Sequence, residues 1–241
     1  MLKILFMPAN RHASRGRALD QIMIIRLIAS IILLCGSAAL AQPAEAPVST
    51  DQALAKLLQG NQRYVRHKEQ HPHKSLARRK SLVGGQHPFA VILGCSDSRV
   101  PPELLFDQGL GDLFVIRVAG NIVDDVVLGS IEYAVEHLGT KLVVVLGHEK
   151  CGAVSAAVAG GHDEGHLKAL VTAIEPSVSA TVNLPGDRVH LCVIENARHV
   201  ARQIRESQPL LREAVRRNAL KVVAADYVLE TGKVILLEEH H

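Results

Sequence analysis

From residue 88 onward the chain alternates short apolar runs with longer amphipathic ones. Residues 89–93, 113–116 and 142–146 are continuous apolar or β-branched runs, as expected of strands buried on both faces. Between the second and third, residues 126–138 place apolar side chains at helical spacing and stop at Gly139. Strand, helix and strand in this order predict a parallel sheet with right-handed crossovers. Residues 189–194 read as a further strand, followed by a helix over about 195–207 and another from about Pro209. Residues 220–229 and 234–237 read as strands joined through the turn Glu230-Thr231-Gly232, a hairpin. The predicted fold class is α/β, a mainly parallel central sheet with flanking helices.

The region before this is organised differently. Ser49-Thr50-Asp51-Gln52 has the S-x-x-Q form of a capping box and opens a helical arm through Leu54, Leu57, Leu58 and Val65. Residues 66–80 (RHKEQHPHKSLARRK) are basic, contain histidines and lack apolar periodicity, so they read as a solvated arm. Residues 42–48 (QPAEAPV) read as a linker. Residues 1–41 set basic side chains ahead of a short apolar run and end in Ala39-Leu40-Ala41, the layout of a secretory signal peptide cut after Ala41. An uncleaved anchor is the rival, but the 13 residues from 22 to 34 include Arg26 and fall short of the roughly 20 that a span needs. Cys35 follows Leu34, where a lipoprotein site requires a small residue. Met23 offers a more ordinary start for such a leader than Met1.

Charge alters the picture once it is placed. The chain of 241 residues has a formal net charge of +3, which raises the question of an anionic partner. Residues 1–41 alone carry +4, and the other 200 residues hold 22 of the 27 basic and 23 of the 24 acidic side chains, a net of −1. With only 3% aromatic residues for base stacking, a nucleic-acid binder loses its support. A 48% hydrophobic content excludes a disordered chain, and four cysteines are too few for a disulfide scaffold. The expected product is exported, periplasmic or secreted, and not stably inserted in a membrane.

The candidate chemistry sits at strand ends. Cys95-Ser96-Asp97-Ser98-Arg99 follows the first buried run, and His148-Glu149-Lys150-Cys151 follows the third. In an open parallel sheet, ligands bind beyond the carboxyl ends of the strands. Two cysteines and one histidine are a known catalytic zinc set with the fourth position open. A Cys95–Cys151 disulfide is the rival in an oxidising compartment, and a small core residue is the plain reading of each cysteine. Asp97, two residues from Arg99, can pair with it and stay ionised. A carboxylate beside a metal-activated water points to hydration or hydrolysis of a small electrophile. The arginines 198, 202 and 205 share one helix face, read as solvated because Glu195 and Glu206 lie in the same segment. Cys192, in an apolar run, reads as buried core.

The segments Cys95–Glu103 (CSDSRVPPE), 106–115 (FDQGLGDLFV), 117–121 (RVAGN) and 147–153 (GHEKCGA) together resemble the β-class carbonic anhydrases, and the likeness extends over about residues 49–237. The resemblance implies Zn2+ held by Cys95, His148 and Cys151, with Asp97 and Arg99 as a catalytic dyad. The implied reaction is reversible hydration of CO2 to bicarbonate and a proton by attack of zinc-bound hydroxide. A CS2 or COS hydrolase on the same scaffold is the alternative, and a non-catalytic zinc protein a poorer one. Gln86 matches a glutamine that reaches a neighbouring subunit's pocket, Phe114 an apolar pocket wall, and Gly152 a backbone donor. The resemblance also implies a homodimer or tetramer in which the N-terminal helix embraces a partner. In some members the aspartate swings onto zinc as a fourth ligand, and in one branch bicarbonate on a Trp, Arg and Tyr set favours that closed state. Arg117 and Tyr227 match, but Ile92 stands at the Trp position and the chain has no Trp, so an open form without that switch is expected. His67, His71, His73 and His87 are candidate proton carriers, none singled out.

Overall fold

The computed structural model describes residues 48–160 and 164–238; the leader and its cleavage point lie outside them. Ser49 caps the first helix, α1 (Thr50–Val65), with the reciprocal Gln52 bond of a capping box, as its sequence predicts. Five strands follow: β1 (Ala90–Gly94), β2 (Leu113–Arg117), β3 (Leu142–His148), β4 (Lys221–Tyr227) and β5 (Val234–Leu236). They form one sheet in the order β2-β1-β3-β4-β5, parallel except for the antiparallel β4–β5 pair.

Every residue of β1 and β3 is buried, which is why their sequences run without polar alternation. Ile92 and Val144 face a cluster with Leu57 of α1, Phe106 and Ile174. Val91, Leu93, Val143 and Val145 face the opposite cluster. That second layer comes from α4 (Asp125–Glu136), α7 (Arg188–Glu206) and α8 (Leu210–Arg216). On the first face lie α1, α5 (Gly152–Ala159) and α6 (Leu167–Thr181). Two short helices, α2 (Leu76–Ser81) and α3 (Pro102–Leu105), complete the set.

One expectation is corrected and two are refined. Residues 189–194 are not a strand but the first turns of α7, which runs unbroken through the segment expected to begin near Glu195. The buried positions Cys192, Val193, Asn196, Ala197, Val200, Ala201 and Ile204 follow helical spacing, and a six-residue β-branched stretch cannot reveal this alone. Cys192 is buried as expected, but in a helix. Residues 66–80 are mostly exposed, as a solvated arm should be, but they are pinned to the body at several points. Asp107, 2% exposed, accepts bonds from Arg63 Nε (2.6 Å), the Gln70 N–H and the His71 N–H. Asp112 binds His73 Nδ1 at 2.8 Å and lies 3.6 Å from Arg78, so two buried carboxylates tie the stretch down. Burial alone would raise the Asp107 pKa, but the Gln70 N–H, Arg63 and the His71 N–H hold it below the usual carboxylate value. The arginine face of α7 is also engaged: Arg202 pairs with Glu195 at 2.7 Å and Arg205 donates to the Val222 carbonyl. No helix among the described residues is long and apolar enough to cross a membrane.

The buried side of α1 is satisfied within its own chain. Asn61 donates to the carbonyls of Leu105 and Gly232 and accepts from the Val234 N–H, joining α1 to α3 and the β4–β5 hairpin. At Gly60 the Phe106 carbonyl occupies the space where a Cβ would stand, whereas Gly129 in α4 faces nothing within 4 Å. Gly60→Ala is therefore expected to lower unfolding free energy by about 3 kcal/mol through overpacking, and Gly129→Ala to raise it by roughly 0.5–1 kcal/mol. Urea denaturation of the two variants beside the parent checks both signs.

Candidate metal centre

Strand order places the site. The chain goes from β1 outward to β2, then returns to the other side of β1 as β3, so the β1 and β3 carboxyl ends flank the topological switch point. Gly94 and Leu146 are register partners. Cys95 follows β1, His148 ends β3, and Cys151 is the N-cap of α5. Between the last two, Lys150 adopts φ 52°, a left-handed turn that folds Cys151 back beside His148.

The three ligand atoms lie within 4.8 Å of one another and all three residues are buried. The sulfurs are 3.9 Å apart and both cysteines are free, well beyond the roughly 2.05 Å of a disulfide. His148 Nδ1 donates to the Glu149 carbonyl at 2.8 Å, which fixes the tautomer and leaves the Nε2 lone pair facing inward. That atom is buried and has no hydrogen-bond partner. An unpartnered imidazole nitrogen beside two sulfurs is costly to bury unless something binds it. The donor set, two thiolates and a backbone-oriented histidine, fits Zn2+ with one position left open.

Asp97 stands next to this cluster, its Oδ2 4.0 Å from His148 Nε2. Arg99 grips both carboxylate oxygens, Nε to Oδ1 at 2.9 Å and Nη2 to Oδ2 at 2.7 Å, while its backbone N–H adds a third bond to Oδ1. These bonds from Arg99 hold the Asp97 carboxyl well below the usual carboxylate range. Arg99 Nη2 also donates to the Lys150 carbonyl. Arg117 donates to the carbonyls of Cys95 and Asp97, bracing the turn that carries both residues. Across the sulfur pair, the bond from Cys151 favours the Cys95 thiolate, with help from the Gly120 N–H, while the same contact pushes the Cys151 thiol up. Cys192, by contrast, is pushed up to about 11 by burial.

Among the other expected residues, Gly152 opens α5 with nothing within 4 Å of a Cβ, so its surroundings admit a small molecule. Gln86 lines a cavity of about 420 Å³ with Val83 and Leu110, none of the metal-cluster residues among its walls. Phe114 packs against Tyr133 on edge strand β2. Within one chain, then, neither meets the cluster. Ile92 is fully buried core, and the Tyr227 hydroxyl lies 3.4 Å from that of Tyr64. Sequence reasoning missed the roles of Glu149, Lys150, Gly120 and Asn196, of which the first three lie within or beside the motifs.

An open Cys2His set that could hold a metal ion lies beside an arginine-held carboxylate at the switch point of a parallel sheet, where such folds bind small molecules. Residues 90–234 match the sequence profile described as carbonic anhydrase. Carbonic anhydrase 2 of Mycobacterium tuberculosis is 42% identical over 199 residues, covering 79% of this chain and 92% of that protein. The carbonic anhydrase of Mycolicibacterium smegmatis is 38% identical over 198 residues, 80% of this chain and 95% of that one. Among solved structures, a tetrameric β-carbonic anhydrase from Sordaria macrospora superposes with a TM-score of 0.63 at 29% identity, over 76% of this chain and 96% of that one. A Coccomyxa β-carbonic anhydrase in complex with acetazolamide gives 0.62 at 28%, over 76% and 86%. The chain belongs to the β-class carbonic anhydrases and is an enzyme of that family.

In chelator-treated protein at neutral pH, one thiolate is expected, that of Cys95. The shift is downward, so the thiolate persists at pH 7 and protonates only as pH falls well below the ordinary cysteine value. Ultraviolet thiolate absorbance should vanish when Cys95 and Cys151 are both replaced by Ser and remain in Cys192→Ser.

Proposed function

We propose that the chain hydrates CO2 reversibly to bicarbonate and a proton with Zn2+ held by Cys95, His148 and Cys151. The observation that carries this reading is the buried, unpartnered His148 Nε2 between two sulfurs and a carboxylate already committed to Arg99. When bound, Zn2+ supplies the Lewis acidity that brings deprotonation of water to about neutral pH. Asp97 remains ionised because Arg99 holds it, accepts a hydrogen bond from the attacking water and aims its lone pair at carbon. Arg99, clamped also to the Lys150 carbonyl, keeps Asp97 off the metal. The Gly152 N–H, at the start of α5, donates to a substrate oxygen. Gln86, away from the cluster in its own chain, reaches the pocket of a second copy and Phe114 supplies an apolar wall, which makes a dimer the smallest working unit and a tetramer an assembly of two. Ile92 fills the place of the tryptophan that the bicarbonate switch requires, so bicarbonate does not drive Asp97 onto the metal.

Stopped-flow CO2 hydration is expected to disappear with a strong zinc chelator and to return with added Zn2+. Cys151→Ser should lose zinc and activity together, and Asp97→Asn should lower kcat/KM by roughly 10²-fold with zinc retained. Activity in zinc-free Cys151→Ser, or COS hydrolysis without CO2 hydration, would overturn the assignment.

The leader directs export, with the mature chain starting at Gln42. N-terminal sequencing of protein recovered from the periplasm or medium should read QPAEAPV; recovery only from the cytoplasm with residues 1–41 attached would refute it.

A further inference from the structure

We infer that Asn196 is a positioning residue for the metal centre, acting through Gly120 on the Cys95 sulfur; this rests on the metal reading above. Asn196 lies in the middle of α7, has no exposed surface and sits among apolar neighbours. Burying an amide there is unfavourable unless it is bonded. Its Nδ2 donates to the Gly120 carbonyl at 2.8 Å, while Oδ1 has no partner. The orientation is set by chemistry, since a carbonyl accepts only from the NH2 end. One bond, 76 residues back along the chain, accounts for the polar group.

That bond anchors the Gly120–Asn121 peptide, one Cα away from the Ala119–Gly120 peptide whose N–H touches the site. The Gly120 N–H donates to Cys95 Sγ at 3.3 Å. Gly120 has φ 73°, and a Cβ there would come within 2.8 Å of Ile174 and 3.2 Å of Ala153, so the turn needs glycine and cannot fix itself through a side chain. The Asn121 N–H closes the turn onto the Val118 carbonyl, and Asn196 adds the side-chain restraint on the Gly120 carbonyl. The helix reaches this depth because Gly147, just before His148, leaves room: a Cβ there would stand 3.3 Å from Val193 and 3.4 Å from Ala197. An N–H bond to a ligating sulfur withdraws charge from it and orients its lone pairs, and loss of such outer contacts typically costs 10–100-fold in metal affinity.

The test replaces Zn2+ with Co2+, whose sulfur-to-metal charge-transfer band reports the thiolates directly, and follows Zn2+ transfer to a chelator. Asn196→Asp, which sets an acceptor against the Gly120 carbonyl, and Asn196→Ala, which removes the donor, should each shift the band and weaken zinc affinity by roughly 10–100-fold. Val200→Ala, buried one turn further along the same helix, should lower Tm while leaving band and affinity as in the parent. If either Asn196 variant folds and differs from the parent only in Tm, as Val200→Ala does, the inference is overturned. If the parent itself gives no thiolate–cobalt band, the metal reading fails, and this inference with it.

Discussion

Two sulfurs 3.9 Å apart and an imidazole nitrogen, all removed from water, impose the constraint around which the remaining structure is arranged. Without a cation the sulfurs cannot both ionise, and the structure expresses this as one thiolate favoured and one thiol disfavoured. Holding such a cluster together requires rigid supports on every side. The parallel ladder provides the first: the β1–β3 register ends at Gly94 and Leu146, just before Cys95 and His148, and β3–β4 pairing holds His148 opposite Tyr227. The turn at Lys150 provides the second, and the Glu149 carboxylate ties that turn to the Leu229 N–H beyond β4.

Much of this was legible in the sequence because the sheet centre leaves an unmistakable trace. Strands buried on both faces must be apolar throughout, so β1 and β3 stood out, and the ligands followed at their ends; β2, equally apolar in sequence, is instead a half-buried edge strand. Capping chemistry at Ser49 is local, and α1 begins where that side chain permits. The failures have a common cause. Residues 189–194 look like a strand because valine, leucine and isoleucine say nothing of period over six positions, and only tertiary burial along Arg188–Glu206 fixes the helix. Residues 66–80 are mostly exposed, as read, but their anchoring was illegible because the partners, Asp107 and Asp112, lie about 40 residues away on the other side of β1. The helix Leu167–Thr181, with Pro176 inside it, gave no signal strong enough to predict.

The site was legible in its ligands and not in its supports, and the reason is physical. A metal donor must be of a particular side-chain type, so a cysteine or histidine announces itself. A support works through the peptide, as when Arg117 holds the Cys95 and Asp97 carbonyls or the Gly120 N–H meets a sulfur. Backbone groups are the same at every residue, and only the fold says which of them face the site.

Arg99 shows why the acid and the ligand set should be regarded as one unit. Its guanidinium bonds Asp97 with one edge and reaches the Lys150 carbonyl with Nη2. The residue that keeps Asp97 ionised thereby also restrains the left-handed turn between His148 and Cys151. A swing of Asp97 toward the cluster would break a bidentate, charge-assisted pair and leave Arg99 with only the neutral carbonyl, a poorer partner. Because Arg117 simultaneously holds the Asp97 carbonyl, only the side chain is free to make that swing. The open arrangement is therefore maintained by two arginines with separate tasks, one on the carboxylate and one on the backbone beneath it.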